Sequence, residues 1–149
     1  MSKPASGENL QDDLSYLKRN GYTHIVSLLE KQEASELQLT SEEVHCKSLG
    51  LDFVQFPIPD RSVPEDKMAF INTVSLSYEA VLGGANLIAH CRAGIGRSGL
   101  YTLGVLLFDG HSAQNARELV SQARGLTIPD TEEQFEWIRE NELDFRVPA

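Results

Sequence analysis

Basic residues and cysteine are both scarce in this chain. Its 149 residues hold 13 lysines and arginines against 22 aspartates and glutamates, a net charge of −9. That balance disfavours nonspecific nucleic-acid binding and polybasic attachment to a membrane, so neither partner is expected. There are two cysteines, Cys46 and Cys91, in no Cys-x-x-Cys pair and no Cys/His metal-ligand spacing. No metal site and no cofactor is therefore expected. No Gly-Lys-Ser or Gly-Lys-Thr occurs, so an ATP-type phosphate loop is absent. No stretch approaches the roughly 18 apolar residues that cross a bilayer. Met1 to Glu8 is polar and lacks the apolar core of a signal peptide, so residues 1–8 read as a short flexible lead-in.

What remains is ordinary for one globular domain, expected over residues 9–149. Hydrophobic residues make up 41% and charged residues 23%, and a chain of this length buries a sizeable core. Asn9 is a candidate cap for a helix from Leu10 to Asn20, with Leu10, Leu14 and Leu17 on one face. Tyr22 to Leu29 is rich in strand formers. Glu33 to Leu39 suggests a short helix, and Thr40 to Glu43 has capping-box spacing for another that ends at Gly50. Leu51 to Phe56 alternates as a strand does, and Pro57 and Pro59 end it. Pro64 is expected to open a long helix to Leu82. Ser112 to Arg124 and a last segment from Asp130 or Thr131 to Leu143 are helical in pattern. Strands alternate with helices, which predicts an α/β fold with a mainly parallel central sheet of about four strands, the fourth near the N-terminus.

Chemistry concentrates between residues 90 and 99. Ala85 to Ala89 reads as a buried strand and Leu100 to Phe108 as a helix. Between them runs His90-Cys91-Arg92-Ala93-Gly94-Ile95-Gly96-Arg97-Ser98-Gly99. A strand, a glycine-rich turn and a helix N-terminus together make an anion site, because the turn's N–H groups lack intrahelical partners and the helix dipole favours negative charge. Cys91 at its mouth would be stabilised as a thiolate and become a nucleophile. The N–H groups from Arg92 through Ala93, Gly94, Ile95 and Gly96 to Arg97 would cradle the anion. The Arg97 guanidinium offers a planar fork suited to two phosphate oxygens. A phosphate ester also needs a proton donor for its leaving oxygen, best carried on a separate loop. Pro57-Ile58-Pro59-Asp60-Arg61 is such a loop and makes Asp60 the candidate, with Asp66 the alternative. A nucleophilic thiolate survives only where oxidants are few, so a cytoplasmic setting is expected.

His-Cys-x5-Arg-Ser resembles the signature of the cysteine-dependent tyrosine and dual-specificity phosphatases, here of the small bacterial type. The resemblance covers most of the chain and implies a single phosphatase domain. It implies that Cys91 attacks phosphorus, that Asp60 is the general acid, and that Ser98 donates a hydrogen bond to the sulfur. Ser98 reads equally as a helix N-cap. His90 would orient the loop. Gln134 falls where the family positions the hydrolytic water, but Thr131 to Gln134 also has capping-box spacing. Arg61 either meets the substrate or is solvated. Cys46 is either a resolving thiol or a buried structural one, the latter favoured.

The resulting expectation is a metal-independent phosphatase of phosphotyrosine, extending to phosphoserine and phosphothreonine, acting on phosphorylated proteins or peptides through a phosphocysteine. One alternative is an enzyme for inositol phosphates, phosphoinositides or RNA 5′-triphosphate. Ile95 stands where lipid-directed relatives carry a second basic residue, which weakens that reading. The other alternative is a noncatalytic phosphopeptide-binding module. Nothing in the sequence sets an oligomeric state.

Overall fold

The structure, a computed structural model, describes residues 1–146. Three strands form the sheet: β1 (His24–Ser27), β2 (Asp52–Gln55) and β3 (Leu87–His90), in the order β2-β1-β3 and all parallel. Among the described residues seven α-helices flank it: α1 (Leu10–Arg19), α2 (Lys31–Glu36), α3 (Glu42–Leu49), α4 (Lys67–Leu82), α5 (Arg97–Phe108), α6 (Ala113–Arg124) and α7 (Glu132–Glu140).

Side chains alternate across the central strand and build a core on each face. Ile25 and Leu29 join Leu10, Leu14, Leu17, Cys46 and Leu51 beneath α1 and α3. Val26 and Leu28 join Phe70, Val74, Leu100, Leu103 and Ile138 beneath α4, α5 and α7. Phe70 anchors this second core. It makes edge contacts with Phe56, Tyr101, Trp137 and Phe145 at centroid distances of 5.5 to 6.2 Å, within the range favoured for aromatic pairs.

Several expectations are corrected. The sheet has three strands among the described residues, not four. The N-terminal segment does reach the end of β3, through Met1 N to Ala89 O at 2.6 Å and Lys3 N to Arg92 O at 3.2 Å. Pro4 then offers no N–H, and the contact does not grow into a ladder. Helix α4 begins at Lys67 rather than at Pro64. The Asp66 carboxylate accepts the Ala69 N–H at 2.9 Å and caps the helix, whereas Pro64 is buried in the preceding loop. The expected Thr40–Glu43 capping box does not form. Helix α3 starts at Glu42 with Ser41 as its cap, and the Glu42 side chain turns inward. Asn9 makes no side-chain cap bond; a 3-10 turn from Gly7 to Asn9 leads into α1 instead.

Candidate active site

The apolar pattern around residue 90 folds as its sequence implies. Strand β3 ends at His90, residues 91–96 form a loop, and α5 begins at Arg97 with Gly96 as its N-cap. Cys91 therefore lies at the floor of a loop that opens onto a helix N-terminus. Its cleft, about 200 Å³, is bounded by Cys91, Arg92, Ala93, Ile95 and Gly96, with Arg97, Asp60, Arg61 and Asp130 also at its wall.

Cys91 is almost wholly enclosed, at 3% exposure. Ser98 Oγ lies 3.3 Å from its sulfur, and the Gly94 N–H donates to that sulfur at 3.3 Å. Burial pushes the thiol upward. The Ser98 hydroxyl, the Ser98 and Gly94 N–H groups and the Arg97 charge outweigh that, so the net displacement is below the ordinary thiol value. Ser98 thus bonds the sulfur. The N-cap role is taken by Gly96, so that alternative falls.

Arg97 is 1% exposed, and its charge is met by a carboxylate that the motif does not contain. Arg97 Nη1 donates to Glu33 Oε2 at 2.7 Å, and Nη2 donates to Glu33 Oε1 at 2.8 Å. Nη1 also donates to the Ile58 carbonyl at 3.0 Å, and Nη2 lies 3.1 Å from Asp60 Oδ1. The fork expected for phosphate is therefore largely engaged by protein. Burial alone would lower the guanidinium pKa, but its carboxylate partners hold it above its ordinary value. Hydrogen bonding to Arg97 in turn holds the Glu33 carboxyl below its usual range.

His90 is fully buried, with Nε2 2.7 Å from Glu42 Oε1 and Nδ1 3.4 Å from the Cys91 carbonyl. Glu42, at 2% exposure, thus fixes the ring from behind the loop. Glu33 and Glu42 are the two residues of this arrangement that sequence reasoning missed. Each sits on a short polar helix whose pattern reads as solvated. The one available signal is Glu33 three residues after Glu30, a capping-box spacing that places Glu33 in the first turn of α2.

The candidate acid Asp60 stands at the rim with its side chain 59% exposed. Asp66 is spent on capping α4 and is not part of the cleft wall. Arg61 is 70% exposed, with Nε 3.8 Å from Asp130 Oδ2 across the mouth. Gln134 forms the capping box with Thr131, through bonds of 3.1 Å in each direction. It is also fully buried, donates to the Ser62 carbonyl at 3.0 Å and packs against Gly96, where an added Cβ would lie 2.9 Å from its amide. It therefore ties the acid-bearing loop to the cysteine loop. Cys46 belongs to the core on the opposite face of the sheet from Cys91. Burial, with Glu42 and Glu43 nearby, pushes its thiol up to about 12. Among the described residues no group of three or more His, Cys, Asp or Glu is placed to hold a metal ion. No described helix is long and apolar enough to cross a membrane.

Comparison with known proteins identifies the family and the fold. The family model described as "polymorphic toxin system, DSP-PTPase phosphatase" matches residues 1–111. A phosphatidylinositol 3,4,5-trisphosphate 3-phosphatase and protein-tyrosine-phosphatase, PTEN1 of Arabidopsis thaliana, is 35% identical over 81 residues. That match takes in 50% of this chain and 20% of the relative, so the chain spans about a fifth of its length. Kinase associated phosphatase, solved with serine in place of its catalytic-site cysteine, superposes with a TM-score of 0.87 at 20% identity over 97% of this chain and 84% of that one. At that identity the likeness shows the fold. Tk-PTP in its active form superposes with a TM-score of 0.79 at 26% identity over 95% and 88% of the two chains. The family match covers well over half of the sequence, and the chain therefore belongs to the polymorphic-toxin-system DSP-PTPase phosphatase family.

Proposed function

We propose that the chain hydrolyses phosphotyrosine, and phosphoserine and phosphothreonine as well, in phosphorylated proteins, with Cys91 as nucleophile and Asp60 as general acid. The observation that carries this reading is the Cys91 sulfur held by Ser98 and the Gly94 N–H at the floor of a cleft shared with Arg97 and Asp60. The thiolate attacks phosphorus, and a sulfur–phosphorus bond forms as the ester oxygen departs. Asp60 passes its proton to that oxygen. Water then attacks the phosphocysteine, gives its proton to the Asp60 carboxylate and releases phosphate, and Cys91 leaves as thiolate. Loop N–H groups and Arg97 stabilise the charge on the equatorial oxygens throughout.

Arg97 Nη2 is held by Glu33 and Asp60 together. An incoming phosphate competes with the Asp60 carboxylate for that nitrogen. Its arrival releases Asp60, which takes up a proton from solvent or from the incoming phosphate monoanion and swings toward the leaving oxygen, while Glu33 keeps the guanidinium in place. Thr131 and Ser62 hold both ends of the Gln134 amide, which supports a bracing role for Gln134 over water positioning. The chemistry uses only groups of the chain, so it proceeds without metal, and it requires a reducing compartment such as the cytoplasm.

A protein substrate is favoured over a polyphosphorylated lipid headgroup by charge. Beyond Asp60 and Arg92 the cleft continues into a groove of about 280 Å³ lined by Glu30, Glu33 and Glu36, and Asp130 stands on the opposite rim. Further phosphates beside the reacting one would meet carboxylates. The test compares kcat/KM for a phosphotyrosyl peptide, a phosphoseryl peptide and soluble inositol polyphosphates or phosphoinositide vesicles. Preference for the peptides is expected. Faster turnover of the inositol-based substrates would overturn the protein-substrate reading.

A further inference from the structure

The loop that encloses the anion site is held from its outer face by two donors outside the loop. Arg124, in the last turn of α6, donates from Nη1 to the Gly94 carbonyl at 2.6 Å. The Lys3 N–H donates to the Arg92 carbonyl at 3.2 Å. Residues 1 and 2 pass directly behind Gly94, where an added Cβ would lie 2.2 Å from Met1 C and 2.3 Å from Ser2 N. Gly94 has φ +78°, so both its backbone and its missing side chain suit this crossing.

A trans peptide points its carbonyl and its N–H in opposite directions. The Gly94 carbonyl belongs to the same peptide unit as the Ile95 N–H, and the Arg92 carbonyl to the same unit as the Ala93 N–H. Drawing these two carbonyls outward therefore turns the Ala93 and Ile95 N–H groups inward. The walls agree: Ala93 and Ile95 border the cleft, whereas Gly94 faces the N-terminal segment. An unanchored glycine peptide can rotate at little cost and present its carbonyl to the anion instead.

We propose that Arg124 is a positioning residue for phosphoryl transfer, acting through the Gly94 carbonyl to keep the Ile95 N–H aimed at the equatorial oxygens. This rests on the reading of residues 91–97 as the phosphate site. Arg124 does not touch the reacting atoms. It acts by denying the loop a rotated state in which one oriented donor is lost, and that loss is felt most where charge develops in the transition state.

The test uses Arg124→Met and Arg124→Lys, with Arg117→Met as control. Arg117 is on the same helix, pairs with Glu132 at 2.7 Å and lies over the Phe135 ring at 4.1 Å, away from the loop. Removing an oxyanion donor outright costs about 10²–10³-fold. Losing only its anchor is expected to lower kcat and kcat/KM together by about tenfold in Arg124→Met, with KM little changed. The inhibition constant of vanadate, which mimics pentacoordinate phosphorus, should rise by the same factor. Arg124→Lys, which keeps a donor within reach of the carbonyl, should recover most of both. Arg117→Met should lower Tm without moving vanadate inhibition. A native vanadate inhibition constant in Arg124→Met, whatever its Tm, would overturn the proposal. Turnover by Cys91→Ser would instead defeat the underlying site reading and is scored separately.

Discussion

Neutralising Glu33 tests how the buried cation is held. In Glu33→Gln one neutral amide replaces the carboxylate that accepts from both Nη1 and Nη2 of Arg97. The cation stays at 1% exposure, with the Ile58 carbonyl at 3.0 Å and the half-exposed Asp60 at 3.1 Å as its remaining acceptors. Breaking one side of a buried pair costs about 3–5 kcal/mol. Glutamine keeps one acceptor oxygen and Asp60 supplies charge, so the expected loss is about 2–3 kcal/mol. For a chain of this size that corresponds to a fall in Tm of about 4–12 °C. The Glu33 carboxyl is held below its usual value, chiefly by its bond to Arg97. A depressed carboxylate stabilises the fold above its unfolded pKa, and the stabilisation is lost as pH falls through the folded one. The gap between wild type and variant should therefore be constant from neutral pH down to about 4.5, the ordinary value, and narrow below it. Urea unfolding followed by fluorescence of Trp137, the one tryptophan, measures it across that range. A gap within the roughly 0–1 kcal/mol of an exposed pair, or one unchanged on acidification, would refute the reasoning. Activity should fall too, most for poor leaving groups, because Asp60 becomes the main counter-charge of Arg97.

Asp60→Asn should lower kcat/KM by about 10²–10⁴-fold on phosphotyrosine and far less on activated aryl phosphates, which leave without a proton. Equal losses on both, or the same leaving-group dependence in Asp66→Asn, would remove Asp60 from the role. Alkylation of Cys91 by iodoacetamide should reach half its limiting rate below the ordinary thiol pKa of about 8.5. In Ser98→Ala that midpoint should move upward, because the hydroxyl is the largest influence opposing burial. A midpoint at or above the ordinary value in wild type would contradict the thiolate assignment.

The part of this site that is contiguous in the chain was legible in it. His90 to Ser98 carries its own context, since the apolar runs on either side declare the strand and the helix and the glycines declare the turn. The place of Asp60 beside the cleft was legible from its proline-bounded loop. Glu33 and Glu42 were not. They lie on short helices rich in charge, and only the packing of those helices behind the loop turns one carboxylate to Arg97 and the other to His90. Arg124 was hidden in the same way, as an ordinary basic residue in a last helical turn. The start of α4 was misplaced because proline is a good first residue of a helix, but a side-chain cap at Asp66 supplies a bond that Pro64 cannot. The fourth strand was expected from fold class alone, and Pro4 interrupts the pairing that would have made it.

The central claim is that turnover passes through a covalent bond between phosphorus and Cys91. Rapid acid quenching during turnover of a radiolabelled phosphotyrosyl peptide, followed by proteolysis and mass spectrometry, tests it directly. Phosphate is predicted on the peptide containing Cys91 in wild type, at a higher level in Asp60→Asn with an activated aryl phosphate, and on no peptide in Cys91→Ser. Undiminished turnover without label on Cys91, or phosphate release by Cys91→Ser, would contradict the account.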